Sequence, residues 1–261
     1  MNKISKIILM LLIVILAISS YFFIKELVKN KKETDIFDDL QEIIENTEKT
    51  TNENLIIDIL EKDEDNTSSQ NSYNLENIAQ INSDVVGWIK IDGTNIDYPI
   101  MQNEDFYLHK DIYKKYSSHG TPYLAKYCNL RVSDNLIIYG HHMNDNTMFS
   151  QLEKYKNYNF YRNHKYIKFY KIEDGKTIEN TYEVMIAFKT IAYSDEGFRY
   201  YSYTDFQKAE DYEEFIDNCR SLEFYYTGVV GTNEDKYITL STCEYSQKNG
   251  RMVVVAKNLF E

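Results

Sequence analysis

Apolar and polar positions follow three different patterns along the chain. Residues 7–24 carry no charge, and a run of this length is near the minimum for a helix that crosses a bilayer. In residues 33–75, apolar positions recur three or four apart, which predicts short amphipathic helices interrupted by the polar run 63–71. Beyond residue 83, short apolar runs alternate with turn residues, and this predicts an all-β barrel or sandwich.

The predicted strands share a high content of β-branched and aromatic residues. They span residues 85–91, 96–101, 135–139, 165–171, 181–191, 236–242 and 252–257. The dipeptides Asp92-Gly93 and Asp174-Gly175 are turn signals, and the first directly follows a strand. The pattern therefore predicts a mainly β fold built from short strands.

Two helices are predicted within this β region. Residues 75–79 have apolar positions at helical spacing, which indicates a short helix ending near Asn82. Thr204-Asp205 can cap a longer helix. Its apolar positions fall three or four apart at Phe206, Ala209, Tyr212, Phe215, Ile216 and Cys219. The same spacing predicts that Cys219 is a buried core thiol.

Charge divides the chain at the same places. Residues 1–32 carry a net charge of +5, residues 33–75 carry −11, and residues 76–261 carry −6. We therefore predict an N-terminal membrane anchor over 1–32, an acidic and partly helical connector over 33–75, and a folded domain over 76–261. Strong acidity argues against nucleic-acid binding, because neutralising phosphates requires basic patches.

The N-terminal apolar segment has two interpretations. Lysines flank it on both sides, so the positive-inside rule does not decide its orientation. Small residues at 17–20 are compatible with cleavage of a signal peptide. We favour an uncleaved single-pass anchor, because the apolar run continues through Tyr21–Ile24 beyond the small residues.

Candidate chemistry begins at Cys243, which ends one predicted strand. Arg251 begins the next strand eight residues later, and the turn-favouring Asn249-Gly250 lies between them. If the strands pair antiparallel, the thiol and the guanidinium lie side by side at one rim of a sheet. A nearby guanidinium favours the thiolate, which is the nucleophilic form of cysteine. We therefore predict that Cys243 is a nucleophile.

Two of the five histidines, His141 and His142, follow the predicted strand 135–139 and Gly140. This places an imidazole at a strand end, where it can exchange a proton with a thiol. Adjacent residues of a strand point to opposite faces, so the pair is poorly suited to hold one metal ion. No metal or other cofactor is implied. The remaining histidines, His109, His119 and His164, belong to no motif and are expected to be exposed to solvent.

These segments resemble the class B sortases. Residues 239–243 (Thr-Leu-Ser-Thr-Cys), Arg251 and residues 139–141 (Tyr-Gly-His) occur in the family's order, and residues 84–99 are similar to the family's first barrel strands. The resemblance covers residues 72–261. It implies a closed β-barrel with N-terminal helices and one long helix before the strand that carries the cysteine. Ala125 departs from the family, which often has an aspartate there, and this puts one local contact in doubt.

The resemblance also implies residue roles. Cys243 would be the nucleophile, His141 its proton partner and Arg251 the oxyanion stabiliser. The expected substrate-binding residues are Ser241, Thr242, His142 and Glu244, the last contributing its backbone N–H as a second oxyanion donor. The implied reaction cleaves a C-terminal sorting signal of a secreted protein through a thioacyl-enzyme. An amine, such as that of a peptidoglycan cross-bridge, then takes the acyl group.

Several alternatives remain open. A hydrolytic thiol peptidase would share the acyl-enzyme and pass it to water. A pilin-polymerising sortase would pass it to another secreted protein, and a binding module with a degenerate site would need none of the three catalytic residues. A disulfide between Cys128 and Cys219 is also open. The resemblance places the catalytic domain on the outer side of the cell membrane.

Overall fold

Eight strands close into a barrel in the computed structural model, which describes residues 3–59, 73–193 and 196–259. In chain order the strands are β1 (Val85–Lys90), β2 (Asp97–Met101), β3 (Tyr123–Leu124), β4 (Asn135–Tyr139), β5 (Tyr166–Glu173), β6 (Lys176–Ile191), β7 (Tyr237–Glu244) and β8 (Gly250–Asn258). Around the barrel they follow the order β1-β2-β3-β4-β7-β8-β6-β5. The predicted mainly β barrel is confirmed.

The helices of the described residues are of two kinds. The α-helices are α1 (Lys3–Ile59), α2 (Leu75–Ile81), α3 (Tyr158–Asn163) and α4 (Ala209–Leu222). Three 3₁₀-helices span Phe106–His109, Ser150–Lys156 and Tyr200–Ser202. α2 matches the predicted short helix, and Asn82 is its C-terminal cap. The long helix predicted before the cysteine strand is α4.

The N-terminal region is one helix rather than several. α1 continues without a break to Ile59, so the separate short helices predicted in residues 33–59 are wrong. No glycine or proline occurs before Gly87, and without these helix breakers nothing in the sequence ends the helix early. The predicted interruption at 63–71 lies outside the described residues. Within α1, Ile7–Ile44 contains a fully exposed apolar window of mean hydropathy 2.9, long enough to cross a membrane.

The chain divides into two compact units, Met1–Leu40 and Gln41–Glu261, and the second contains the barrel. β8 illustrates why the barrel is stable. Every residue from Met252 to Ala256 is buried, so both faces of this strand are covered, as a continuous apolar run indicates. Large aromatic side chains complete the core, among them the fully buried Trp88 and Phe169.

The strand register brings three strand ends together. β4 and β7 are parallel, and their pairing runs from Asn135 opposite Tyr237 to Tyr139 opposite Ser241. Parallel strands place their C-terminal ends at the same edge of a sheet. β7 and β8 pair antiparallel, so the start of β8 lies at that same edge. Residues just after β4, at the end of β7 and at the start of β8 therefore meet at one rim.

The start of α4 differs from the prediction. The helix begins at Ala209, three residues after Phe206. The N–H of Phe206 donates instead to the Asp134 carboxylate over 2.7 Å. The Asp211 carboxylate accepts the N–H of Lys208 and caps the helix there. The predicted Thr204-Asp205 cap is wrong because the N–H of Phe206 is bonded to Asp134, just before β4, and the helix begins only at Ala209.

The three cysteines are free thiols, so the disulfide left open between Cys128 and Cys219 is not formed. Cys219 is fully buried in α4, which confirms its prediction as a core thiol. The Cys128 sulfur accepts the N–H of Ile137 over 3.3 Å and lies 3.5 Å from the Asn135 carbonyl. Both side chains therefore belong to the interior of the domain.

Candidate active site

Cys243 and Arg251 are partners in the β7–β8 ladder. Directly opposite residues in an antiparallel pair have their side chains on the same face, so the juxtaposition predicted from the intervening turn is present. Both side chains are half-buried. One N–H of the Arg251 guanidinium donates to the Gly250 carbonyl over 2.9 Å, and the guanidinium lies 5.6 Å from the ring centre of Tyr193.

His141 lies two residues beyond the end of β4 and is anchored by a backbone group. Its Nε2 lies 2.7 Å from the Leu108 carbonyl. Because a carbonyl only accepts, this bond places a proton on Nε2 and leaves the Nδ1 lone pair available in the neutral ring. The ring of His109 stacks on that of His141, with ring centres 5.4 Å apart. The Phe106–His109 helix therefore fixes both the tautomer and the plane of this imidazole.

Burial lowers the pKa of His141 below its usual value, and the neighbouring His109 and His119 lower it further. The hydrogen bond to Leu108 opposes this shift without cancelling it. The imidazole is therefore neutral near pH 7. A neutral imidazole can take a proton from a thiol, which a protonated one cannot.

Two of the other histidines are less exposed than the sequence indicated. His119 is fully buried, and its Nε2 lies 2.8 Å from the Asp145 carboxylate. The expectation that it is solvated is wrong, because the buried ring has a hydrogen-bond partner in the exposed Asp145, on the loop after His141. His164 is half-buried and stacks on Phe160. His109 is exposed, as expected.

A groove of 920 Å³ contains Cys243, His141 and Arg251. Its volume is within the range of ligand sites in proteins. Tyrosines dominate the lining: Tyr123, Tyr127, Tyr139, Tyr193, Tyr200 and Tyr201. Sequence reasoning missed them, since only the total of 24 tyrosines hinted at such a surface. Ala125 also lines the groove, so the departure from the family lies at the site itself.

Comparison with known proteins identifies the family of this chain. The family model described as Sortase domain matches residues 89–259. The chain belongs to the sortase family. Sortase B of Staphylococcus aureus (strain NCTC 8325 / PS 47) is 33% identical over 263 residues, which cover 98% of this chain and 97% of that protein.

Solved structures support the same assignment. The X-ray structure of Clostridium perfringens sortase B has a TM-score of 0.64 at 35% identity and covers 72% of this chain and 100% of that chain. A Staphylococcus aureus sortase B–substrate complex has a TM-score of 0.69 at 31% identity and covers 89% of this chain and 98% of that chain. This chain is thus a class B sortase and a cysteine transpeptidase, which confirms the predicted family and enzyme class.

Ser241 and Thr242, which were expected to bind substrate, have hydroxyls that are hydrogen-bonded to other groups of the sortase. Ser241 and Thr242 line the groove but are almost fully buried. The Ser241 hydroxyl shares a 2.6 Å hydrogen bond with the Tyr200 hydroxyl. The Thr242 hydroxyl donates to the Gly140 carbonyl over 2.8 Å. Each of these bonds ties β7 to a neighbouring segment of the groove wall.

Glu244 of the sortase has a buried carboxylate that does not line the groove. It accepts from Lys156 over 2.8 Å and from the hydroxyl of Ser246 over 2.7 Å. Burial raises the pKa of Glu244, but the hydrogen bonds from Lys156 and Ser246 outweigh this and hold that pKa below its usual value. The charged carboxylate thus organises the turn between β7 and β8, and the expected role of the Glu244 backbone N–H stays a prediction.

His142 is bound to the segment that contains the nucleophile. Its Nδ1–H donates to the Cys243 carbonyl over 2.9 Å. The Tyr245 hydroxyl donates to the His142 carbonyl over 3.0 Å, and the two rings lie 5.0 Å apart. His142 is not among the described residues that line the groove. Its expected contact with substrate remains a prediction.

Proposed function

We propose that this sortase cleaves a C-terminal sorting signal with Cys243 as nucleophile, His141 as proton carrier and Arg251 as oxyanion donor. The observation that carries the proposal is the meeting of these three side chains in one groove of 920 Å³. The solved relative described as a substrate complex supports a groove that accepts a substrate. The scissile bond is of the Thr-Gly or Thr-Asn type that the resemblance implies.

In the first half-reaction, the Cys243 sulfur attacks the scissile carbonyl carbon. His141, neutral because of its lowered pKa, takes the thiol proton on Nδ1. The resulting imidazolium then gives that proton to the departing amine, the carbon–nitrogen bond breaks, and a thioacyl-enzyme remains. The Leu108 carbonyl keeps the Nε2 proton in place throughout the reaction. Only Nδ1 of His141 therefore takes up and releases a proton.

Arg251 stabilises the negative charge that develops on the carbonyl oxygen. A guanidinium has five N–H donors, and one of them is bonded to the Gly250 carbonyl. The remaining donors can form directed hydrogen bonds to the oxyanion, where a preorganised donor has its largest effect. The Glu244 backbone N–H is the proposed second donor.

In the second half-reaction, an amine attacks the thioacyl carbonyl and His141 takes a proton from it. The Cys243 thiolate then leaves and recovers its proton from His141. The acceptor is an amine of a peptidoglycan cross-bridge. If water took the acyl group instead, the enzyme would be the hydrolytic peptidase. If an amine of another secreted protein took it, the enzyme would be the pilin-polymerising sortase.

The proposal also assigns regions and location. Residues 1–32 form a single-pass anchor in the cell membrane, residues 33–75 form an acidic connector, and residues 76–261 form the extracellular catalytic domain. The exposed apolar window of α1 supports the anchor. The net charge of −11 over residues 33–75 supports an acidic connector separate from the catalytic domain.

The test is to trap the acyl-enzyme. Full-length protein in detergent is incubated with a panel of sorting peptides, and the mass added to the peptide containing Cys243 is measured. The proposal expects an adduct equal to the acyl part of one peptide, and a transfer product when a cross-bridge amine is added. Release of free acid alone at saturating amine would favour the peptidase. No adduct with any sorting peptide would contradict the proposed substrate class.

A further inference from the structure

The backbone pairing between β4 and β7 does not reach the two residues that react. The β4–β7 ladder ends where Tyr139 lies opposite Ser241. One further backbone bond follows, from the Gly140 N–H to the Ser241 carbonyl over 3.1 Å. The Thr242 hydroxyl then donates to the Gly140 carbonyl. His141 and Cys243 both lie beyond these bonds, so the β4–β7 ladder does not join them directly.

His142 continues the connection between the two strand ends. Its ring donates to the carbonyl of Cys243, and its own carbonyl accepts from the side chain of Tyr245. Ring contact with Tyr245 adds a third interaction. His142 thus holds the segment that contains the nucleophile through residues on both sides of Glu244.

We propose that His142 is a positioning residue of the sortase reaction, which sets the distance between the Cys243 thiol and the His141 imidazole. The inference rests on the catalytic roles proposed above for those two residues. His141 and His142 are adjacent in sequence, so an anchor on one constrains the other. His141 is held on one side by the Leu108 carbonyl, and His142 is held on the other by the Cys243 carbonyl. The two histidines therefore fix the gap between acid–base group and nucleophile from opposite sides.

The hydrogen bond from His142 to the Cys243 carbonyl can form in either protonation state of the ring. A carbonyl oxygen only accepts, so it selects the His142 tautomer that carries a proton on Nδ1. The imidazolium form carries a proton on Nδ1 as well. The bond therefore persists whether His142 is neutral or charged. Geometry rather than proton transfer is the contribution of this residue, and displacement of a catalytic group by about 1 Å can cost on the order of 10²-fold in rate.

The chain provides a matched control in His164. This histidine is also half-buried, its Nδ1 lies 2.8 Å from the Phe160 carbonyl, and its ring stacks on Phe160 at 4.0 Å. It does not belong to the residues that line the groove. Loss of the His164 hydrogen bond should lower the stability of the fold about as much as loss of the His142 hydrogen bond does. It should leave the positions of the reacting groups unchanged.

The experiment compares His142→Phe, His142→Asn and His164→Phe in the full-length protein in detergent. Phenylalanine keeps a ring against Tyr245 but removes the donor. Asparagine keeps a donor, because its amide nitrogen is attached to Cγ as Nδ1 is in histidine. We expect His142→Phe to lower kcat for sorting-peptide cleavage about 10-fold with little change in KM. This loss is smaller than the roughly 10²-fold loss that a displacement of about 1 Å can cause. His142→Asn should recover most of the loss, and His164→Phe should keep the wild-type kcat.

A second measurement does not depend on peptide turnover. The rate of Cys243 alkylation by iodoacetamide, followed by mass, should fall near neutral pH in His142→Phe and stay unchanged in His164→Phe. If wild-type enzyme cleaves no sorting peptide, the proposed function fails while this measurement still decides the role of His142. Wild-type kcat and alkylation in His142→Phe would overturn the inference. So would equal losses in His142→Asn and His142→Phe, or an equal loss in His164→Phe.

Discussion

Cys243 and Arg251 lie opposite each other across the β7–β8 ladder, and the turn of residues 245–249 joins the two strands. The guanidinium can act on the thiol in two ways. It can favour the thiolate by its charge, or it can donate directed hydrogen bonds to an oxyanion. Lysine keeps the charge but lacks the planar fork of donors, so substitution separates the two effects.

Arg251→Lys should lower peptide turnover by about 10²-fold, the size of effect seen when one oxyanion donor is removed. Alkylation of Cys243 should stay close to wild type because the charge remains. Steady-state kinetics and alkylation rates, measured on the same sample, check both parts. Arg220→Lys is the control, since Arg220 pairs with Glu223 outside the groove. Wild-type turnover and alkylation in Arg251→Lys would contradict the role of Arg251 as an oxyanion donor, and parallel loss of both would point to a collapsed site.

The three thiols should respond differently to substitution. Cys243→Ala should abolish cleavage, whereas Cys128→Ser and Cys219→Ser should retain it. Fully buried Cys219 gains a hydroxyl to desolvate, which should cost about 1–3 kcal/mol of unfolding free energy. A serine at Cys128 can use the nearby Ile137 N–H and Asn135 carbonyl, so the cost should be smaller. Urea unfolding and peptide cleavage measure these effects, and cleavage by Cys243→Ala would refute the mechanism.

The pKa of His141 can be measured without interference from the thiol. In a Cys243→Ala background, NMR titration should give a value below the usual value of about 6.5. His109→Ala should raise it, because removing a facing imidazole removes repulsion of the imidazolium. His164→Ala should leave the pKa of His141 unchanged. A value above 6.5 in the parent protein would remove the argument for a neutral proton acceptor.

These predictions depend on features that the sequence revealed to different degrees. Strand 135–139 was predicted with its observed bounds because a β-branched and apolar run identifies it locally. The Cys243–Arg251 juxtaposition follows from a short turn between two strands, which is also local information. The catalytic roles of these residues stay predictions.

Non-local contacts account for what the sequence did not show. The buried ring of His119 is bonded to Asp145, 26 residues away, and the N–H of Phe206 is bonded to Asp134, 72 residues away. No periodicity in the sequence encodes such pairs. The same holds for the tyrosines of the groove, which come from several separate segments. The two bonds of His142 to the 243–245 segment likewise span more than 100 residues.

Glu244 should make stability depend on pH in the acidic range. Its pKa is lower in the folded protein than the unperturbed value of about 4.3. The stability it contributes is therefore complete above that unperturbed value and is lost as pH falls through the folded value. Melting temperatures of wild type and Glu244→Gln between pH 7 and pH 3 measure this. The variant should lose less stability on acidification, and identical slopes would contradict the role of the Lys156 pair.

The last prediction concerns α1. A chain that begins at residue 33 lacks the exposed apolar window of residues 7–28, so it should be soluble without detergent. It should still cleave sorting peptides, because every residue of the proposed site lies beyond residue 100. Full-length protein should instead fractionate with membranes. Recovery of a shorter membrane-free form beginning near Tyr21 would favour the signal-peptide interpretation. If the shortened chain keeps its circular dichroism spectrum but loses cleavage, the N-terminal region contributes to the reaction as well as to location.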